Sequence, residues 1–400
     1  MNLITKQKTK FNHLLDITIN LGLFLAGALP IVVHSGYMVS IALLTIIALP
    51  FLFRRQTYTL TPWQRGIVAV FLFYFAVHAL STFTDTHWAA RNFDVPSRAI
   101  MGVVIFLLLI QRKLSFLAIG YGAGLGAILG VVLAVYQKFY LGYERAFSDR
   151  MPIQIGDISM TLGLISLCFL FYFIKKGQTK SIVLFSIATL SGLMGSLLSG
   201  SRGGWILLPV ILVVFFVMHR DYLTKKAKRY LSVSMVCILL ISLIPQVGVT
   251  KRIHQGYADL YSFYTKEWQG GKGNSLGTRL LLWENAIDSI KAKPLLGWGK
   301  YGINEYLKEK LAKGEITKNI YQFQKDTHAH NQFLQELMTK GLLGLIAFLG
   351  ILLVPLRVFR KAFINNSLEV KAVAASGVML VLSSIDYSLS QAFFMHNSGM

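Results

Sequence analysis

Long apolar stretches with few or no charged residues recur along this chain of 400 residues. Crossing the hydrocarbon core of a membrane, about 30 Å thick, takes roughly 20 residues in a helix, which satisfies its own backbone hydrogen bonds. The pattern therefore predicts an all-α fold, a polytopic membrane helix bundle. We expect eleven crossings, at residues 14–33, 37–53, 66–83, 97–111, 115–137, 158–174, 181–198, 204–218, 230–245, 339–356 and 370–386.

The charged residues indicate membrane topology rather than nucleic-acid binding. Hydrophobic residues make up 54% of the chain and charged residues 14%, which excludes an ordinary soluble domain. The net charge is +22, but 20 of the 40 Lys and Arg residues fall in the amino terminus and in the loops on one predicted side, whereas the short loops on the other side carry only six. This asymmetry predicts that the amino terminus is cytoplasmic. We expect membrane lipids as partners and no nucleic acid.

The eleven predicted crossings place the last residues on the outer face. The stretch QAFFMHNSGM ends at Met400 and has no polar tail. We therefore expect a twelfth crossing beyond Met400.

Residues 246–330 form the one long connection between predicted crossings, and connections of this length are usually functional. Helical periodicity predicts three helices within it: one in VTKRIHQGYADLYSFYTKEW, one in SLGTRLLLWENAIDSIKAKP that stops before Pro294, and one in INEYLKEKLAKG. The sequence thus predicts three parts: transmembrane helices in 1–245, a helical cap in 246–330, and a re-entering helix with the last crossings in 331–400. The alternative for the cap is a structural plug without chemistry.

The stretch HAHNQFLQELMTKGLLGLIAFLG, residues 328–350, begins with two histidines and ends as an apolar helix. At 100° per residue, Gly341 and Gly344 lie about 20° and 40° from the helical face of His330. The small residues predict either close approach of another helix or a slot for a lipid chain. His330 is either a functional group above this groove or an interfacial histidine that only donates and accepts hydrogen bonds.

The segment DTHAH also allows a metal site. Asp326, His328 and His330 alternate, and on an extended strand they would face one way. In a helix they would not converge, and no further acidic cluster completes the set.

Two arginines stand in settings that suit anions. Arg202, in SGSRGGW, is flanked by serines and glycines whose open backbone can bring N–H groups near an anion. Arg279, in GTRLLLWENAI, lies near the start of a cap helix, where the helix dipole also favours negative charge. A guanidinium binds phosphate through two hydrogen bonds and keeps its proton. The alternative for both is an arginine that contacts lipid head groups.

Together these segments resemble the O-antigen ligase family, whose clan also contains O-antigen polymerases and O-linked protein oligosaccharyltransferases. His330 and Asn331, nine residues, Gly341, two residues and Gly344 are similar to the signature H-N-x9-G-x-x-G of that family. GTRLLLWENAI with P-L-L-G-x-G at 294–299 resembles its cap motif, and SGSRGGW its membrane-loop arginine. The motifs cover about residues 199–350.

The resemblance implies an inverting, metal-independent glycosyltransferase without a cofactor. The donor would be a polysaccharide on undecaprenyl pyrophosphate, and the acceptor a sugar of the lipid A core, at the periplasmic face of the bacterial inner membrane. Arg202 and Arg279 would hold the pyrophosphate, and His330 would be the catalytic base. His328 and Asn331, with the motif glycines Gly341 and Gly344, would support the site.

Asp386, in SSIDYSL, lies in the last predicted crossing. A carboxylate inside a membrane helix is a functional candidate, and it either orients a basic partner in the site or forms a structural ion pair.

Other functions remain open from the sequence. The donor-side residues do not separate a ligase from a polymerase or a protein oligosaccharyltransferase, although the regular histidine motif favours the ligase. A transporter or flippase for a lipid-linked sugar belongs to another class; it predicts paired half-bundles with interrupted helices, whereas the polar residues here gather on one face.

Overall fold

The computed structural model describes residues 3–53, 59–201, 203–220, 249–265, 275–325, 328–364 and 366–396, together with single positions between 225 and 240. The described residues form α-helices joined by turns and short 3₁₀ or π segments, with no β-strand among them. The helices are α1 Leu3–Ala28, α2 Gly36–Leu52, α3 Pro62–Phe83, α4 Ser97–Leu109, α5 Phe116–Val135, α6 Pro152–Lys176, α7 Thr179–Leu198, α8 Leu208–Met218, α9 Val249–Tyr264, α10 Ser275–Ala292, α11 Gly299–Ala312, α12 Lys318–Gln324, α13 Gln332–Phe363 and α14 Leu368–Ser390.

Seven of the described helical segments are long and apolar enough to cross a membrane, and three more are apolar but shorter. Ten of the eleven predicted crossings coincide with one of these segments. Residues 230–245, the ninth predicted crossing, lie almost entirely outside the described residues. The prediction of an all-α polytopic membrane bundle is confirmed, because hydropathy alone fixes where long apolar helices form.

The chain divides into two compact units. The first contains Met1–Thr61, Met101–Leu240 and Leu356–Ser383. Its centre is formed by α5, α6 and α7, whose glycines allow close backbone approach. The Ser159 hydroxyl in α6 donates to the carbonyl of Gly192 in α7 at 2.9 Å, and a Cβ on Gly192 would collide with the Gly163 backbone. Small residues therefore hold these two helices together, as in other membrane bundles.

The second unit contains Pro62–Ile100, Ile241–Pro355 and Ser384–Met400. Its apolar core includes Ala286 of α10, Ile303 of α11, Ala329 and Met338 of α13. The Asp85 carboxylate, after α3, accepts hydrogen bonds from three successive backbone N–H groups at the start of α11, at 2.6–3.1 Å. This bond set satisfies N–H groups that a helix start leaves unpaired, and it fixes α11 to the end of α3.

The predicted cap region has more helical structure than its periodicity indicates. The three predicted helices correspond to α9, α10 and α11, and α10 ends at Ala292, before Pro294 as expected. A fourth helix, α12, was not predicted because its seven residues are too few to show a period. The three-part division at 245 and 330 and the orientation across the membrane stay predictions.

Candidate active site

His330 lies in a short connection that leads into α13. Its backbone is left-handed, with φ of 47°, a conformation that strains a non-glycine residue by on the order of 1–3 kcal/mol. The His330 N–H donates to Nδ1 of His328 at 3.2 Å, and the two rings lie 4.1 Å apart between centroids. Strain of this kind persists where neighbouring contacts hold the residue, and it is often found at functional sites.

Asn331 holds His330 at the start of the helix. Its side-chain oxygen accepts a hydrogen bond from the N–H of Leu334 at 3.1 Å, as a helix cap does. Its side-chain nitrogen donates to the carbonyl of Leu389 at 3.2 Å. The motif asparagine therefore joins the start of α13 to the last turn of α14, next to the histidine.

The side chain of Gln391 links His330 to His396 through hydrogen bonds. Gln391 Oε1 lies 3.1 Å from Nδ1 of His330, and Gln391 Nε2 lies 3.1 Å from Nε2 of His396. In this orientation of the Gln391 amide, the oxygen accepts and the nitrogen donates, an arrangement that matches a proton on Nδ1 of His330 and an acceptor at Nε2 of His396. The Nε2 atom of His330 is left with a lone pair, as a base requires.

The surroundings keep these histidines uncharged at neutral pH. Burial lowers the pKa of His330, the hydrogen bond to Gln391 opposes this, and the positive charge of Arg279 lowers it further. Burial also lowers the pKa of His328 to about 3, with contributions from His330, His396 and Arg279. Burial lowers the pKa of His396, and the neighbouring His330 lowers it further. A neutral imidazole can accept a proton, whereas an imidazolium cannot.

Helix α10 positions Arg279 beside the histidines. Arg279 and Trp283 are four residues apart and thus on one face of α10, and the Trp283 indole N–H donates to the carbonyl of Ala329 at 2.9 Å. The Ala329 N–H in turn donates to the Gln335 side chain at 2.9 Å. The structure therefore brings the predicted arginine and the predicted histidine into one electrostatic environment.

Arg202 lies outside the described residues, so its predicted place beside the pyrophosphate stays a prediction. The described neighbours belong to the first unit. Gly200 is left-handed, with φ of 65°, and the Ser199 carbonyl accepts a hydrogen bond from Nε of Arg145 at 2.8 Å. Sequence reasoning missed Arg145, because nothing local links it to a loop 54 residues later.

Asp386 is completely buried in α14, in the second unit. The next residue, Tyr387, is also buried, and its backbone carbonyl accepts the N–H of Gln391 at 2.9 Å. The carboxylate thus lies about one helical turn before the residue that contacts His330. Its predicted role in orienting a basic partner stays a prediction.

The two motif glycines do not lie on a helical face below His330. His330 precedes α13, and Gly341 interrupts the helix with φ of 63° and ψ of −156°. The prediction that both glycines lie near the helical face of His330 is therefore wrong, as is the groove predicted from it, because a regular helix does not connect these residues. Gly344 instead lies against Lys340 and Glu336, where a Cβ would be 2.5 Å from Cβ of Lys340.

The interruption at Gly341 is filled by the loop of the predicted cap motif. The N–H of Leu342 donates to the carbonyl of Pro294 at 2.8 Å, and the N–H of Trp298 donates to the carbonyl of Met338 at 3.0 Å. A Cβ on Gly341 would collide with the backbone carbonyl of Leu295. The P-L-L-G-x-G motif and the H-N-x9-G-x-x-G motif thus contact each other through their backbones.

Asp326, the first residue of the alternative metal site, lies outside the described residues. Among the residues that are described, no group of three His, Cys, Asp or Glu side chains is arranged to hold a metal ion.

Sequence reasoning missed a second polar group in the same unit: Tyr74 and His78 on α3, and Glu336 and Lys340 on α13. Lys340 Nζ lies 3.0 Å from a carboxylate oxygen of Glu336, and His78 Nε2 lies 3.6 Å from the same oxygen. The available signal was the pair of ionisable residues four positions apart at the start of an apolar helix.

Comparison with known proteins identifies relatives of the chain. A family model described as O-antigen ligase matches residues 187–349, which include Arg202, Arg279 and His330. An uncharacterised protein of Haemophilus influenzae is 32% identical over 395 residues, which cover 96% of this chain and 95% of that protein.

Proposed function

The chain belongs to the O-antigen ligase family, and we propose that it is a ligase that transfers a polysaccharide from undecaprenyl pyrophosphate to the lipid A core. In this proposal the reaction takes place at the periplasmic face of the bacterial inner membrane. No nucleotide triphosphate is expected there, so the donor has to arrive already activated. A lipid pyrophosphate serves both as the leaving group and as the membrane anchor.

The observation that carries the proposal is the contact between Nδ1 of the half-buried His330 ring and Oε1 of Gln391. The Nδ1 proton of His330 is directed to Gln391, and its Nε2 lone pair remains available in a ring that burial keeps neutral. A sugar hydroxyl placed at Nε2 would lose its proton to the imidazole as its oxygen attacks the anomeric carbon. General-base catalysis of this kind contributes about 10²–10⁴ in rate.

Arg279 would stabilise the diphosphate as it leaves the anomeric carbon. As the new C–O bond forms, the bond from the anomeric carbon to the pyrophosphate oxygen breaks, and the electron pair leaves with the diphosphate. Attack opposite the leaving group inverts the anomeric centre. A fixed guanidinium stabilises the charge on the departing oxygen, and a good donor contributes roughly 3 kcal/mol. Arg202 is the second proposed donor, and together the arginines would replace a metal ion.

The charges of Arg279 and of the donor diphosphate also change the pKa of His330. Without substrate, the Arg279 charge lowers the pKa of His330. A bound diphosphate would offset that positive charge, so the imidazolium formed by proton transfer would be stabilised when the donor is present. His330 is thus a stronger base when the donor is bound.

Purified protein, lipid-linked glycan and truncated lipopolysaccharide test the proposal. We expect a polysaccharide-bearing lipopolysaccharide product on a gel, its formation unchanged by a chelator and abolished in His330→Ala. A requirement for divalent metal would overturn the metal-independent mechanism and would favour the alternative metal site in DTHAH. Lengthening of the glycan without lipopolysaccharide would instead identify a polymerase.

A further inference from the structure

A cavity of about 130 Å³ lies in the second unit, and Gln332, two residues after His330, is part of its wall. It is lined by the end of α3, the connection that follows α3, the start of α13 and residues 394–395. At ~30 Å³ for each water molecule, the space would hold about four. Neither the sequence motifs nor the proposed chemistry accounts for it.

Several buried polar atoms in the cavity wall make no hydrogen bond to the described residues, although His78 Nε2 lies 3.6 Å from the Glu336 carboxylate. Among the described residues, Tyr74 Oη, His78 Nε2 and Asn92 Nδ2 have no hydrogen-bond partner, and the Tyr74 side chain is completely buried. Leaving a polar atom buried in this way destabilises a protein by about 1–3 kcal/mol each. Three such atoms around one space indicate a site for a ligand that offers both donors and acceptors.

The carboxylates of the cavity already have partners within the protein. Glu336, 1% exposed, accepts a hydrogen bond from the Gln332 amide at 2.7 Å and pairs with Lys340 at 3.0 Å. Asp85 is occupied by the backbone N–H groups at the start of α11. The site therefore does not suit a metal cation, which Lys340 would repel. An acyl chain is disfavoured because it would leave the polar atoms unpaired.

The cavity wall continues into the histidine network. Gln332, two residues after His330, accepts a hydrogen bond from the N–H of Phe394 at 2.9 Å, and Phe394 lines the cavity. Two residues later, His396 contacts Gln391, which contacts His330. A ligand in the cavity would thus be held by the same two chain segments that hold the proposed base.

We propose that this cavity binds one sugar ring of a glycan substrate and thereby positions the glycan next to His330. Hydroxyl groups of a ring can accept from Asn92 Nδ2 and can donate to or accept from Tyr74 Oη and His78 Nε2. The inference rests on the proposed function. The ring belongs either to the acceptor oligosaccharide or to the donor glycan, and the experiment separates these sources.

Direct binding to an inactive protein tests the inference. In the His330→Ala background, the Kd of truncated lipopolysaccharide and the Kd of lipid-linked glycan are each measured with and without Tyr74→Phe. This substitution removes one hydroxyl and keeps the ring. We expect one of the two Kd values to rise about 3- to 10-fold, as loss of one hydrogen bond would cause. A rise for lipopolysaccharide assigns the ring to the acceptor, and a rise for the lipid-linked glycan assigns it to the donor.

Two controls make the result specific. Tyr257 of α9 is 74% exposed, and Tyr257→Phe should leave both Kd values unchanged. Tyr74→Phe should not lower the melting temperature of the substrate-free protein, because the removed hydroxyl has no partner among the described residues. A second variant, Asn92→Ala, should weaken binding of the same substrate as Tyr74→Phe.

The outcomes for the cavity and for the proposed function differ. Unchanged Kd values for both substrates in Tyr74→Phe and Asn92→Ala would mean that the cavity holds only water, and the inference fails even if the wild-type protein transfers glycan. A raised Kd together with no transfer by the wild type would keep the cavity as a sugar site and remove the ligase chemistry.

Discussion

Nδ1 of His330 lies 3.1 Å from Oε1 of Gln391, 61 residues further along the chain. The partner is an amide, not a carboxylate, so it fixes the tautomer of the imidazole without adding a negative charge. Gln391 is therefore a positioning residue for the proposed base. His330 remains neutral and ready to accept a proton at Nε2.

Replacing Gln391 by Glu should change the pH dependence of activity. A carboxylate next to the ring favours the imidazolium and raises the pKa of His330. The acidic limb of the kcat/KM profile should therefore move to higher pH than in the wild type. Gln391→Ala, which removes the contact and frees the ring, should lower kcat on the order of 10²-fold. An identical pH profile in Gln391→Glu would show that this contact does not control His330.

The pH profile of the wild-type enzyme should also be shifted to lower pH than the ordinary pKa of histidine. Protonated His330 cannot act as a base, so activity falls as the pH drops through its pKa. Burial and Arg279 lower that pKa below the ordinary value of 6.5, so the acidic limb of kcat/KM, which reports the free enzyme, should lie below pH 6.5. The limb of kcat should lie at higher pH, because bound diphosphate raises the pKa. The opposite order would contradict the proposed place of the diphosphate.

Arg279 should be sensitive to geometry as well as to charge. Arg279→Lys keeps the positive charge but loses the two-pronged hydrogen bonding, and we expect turnover to fall about 10- to 100-fold with the melting temperature nearly unchanged. Arg279→Gln also removes the charge that lowers the pKa of His330, so its acidic limb should move to higher pH than that of Arg279→Lys. Near-normal turnover in both variants would remove Arg279 from the proposed phosphate clamp.

His328 should make stability depend on pH. Its folded pKa of about 3 lies below the ordinary value of 6.5, so the folded state binds fewer protons than the unfolded state. The stability from this difference is present above pH 6.5 and is lost as the pH falls towards 3. His328→Asn keeps an acceptor for the His330 N–H and should flatten the fall in melting temperature over that range. An unchanged slope would assign the pH dependence to other groups.

Gly341 should tolerate no side chain. Gly341→Ala places a Cβ against the Leu295 carbonyl and also forces a left-handed backbone, which together should destabilise the protein by about 2–5 kcal/mol. Gly314 is the matched control, since its φ is 74° and a Cβ there would meet nothing within 4 Å. Gly314→Ala should destabilise by only about 1 kcal/mol. Equal losses of melting temperature in the two variants would show that strain alone, and not the loop contact, requires Gly341.

The sequence predicts the local features of this fold well. Hydropathy places ten apolar helices, since the length of an apolar run depends only on neighbouring residues. Pro294 marks the end of α10 for a similar local reason, because the residue before a proline is disfavoured in a helix. The motif spacing also singles out His330 and Arg279, which share one electrostatic environment in the structure.

The failures of prediction at the candidate site involve contacts between distant segments. The glycine spacing predicts a regular helix, but Gly341 breaks α13 where a loop more than 40 residues earlier hydrogen-bonds to the neighbouring backbone of Met338 and Leu342. Nothing near His330 in the sequence points to Gln391. Likewise, His78 looks like one histidine in an apolar helix until α13 brings Glu336 next to it.

The sequence by itself determined the class of protein, the apolar helices and the family motifs, because hydropathy, helical periodicity and motif spacing are properties of contiguous residues. Only the tertiary structure decided which nitrogen of His330 faces Gln391, why Gly341 has to be glycine, and that a polar cavity lies between α3 and the start of α13. Those features depend on hydrogen bonds and close contacts between residues tens to hundreds of positions apart, and the order of residues along the chain does not specify such pairings locally.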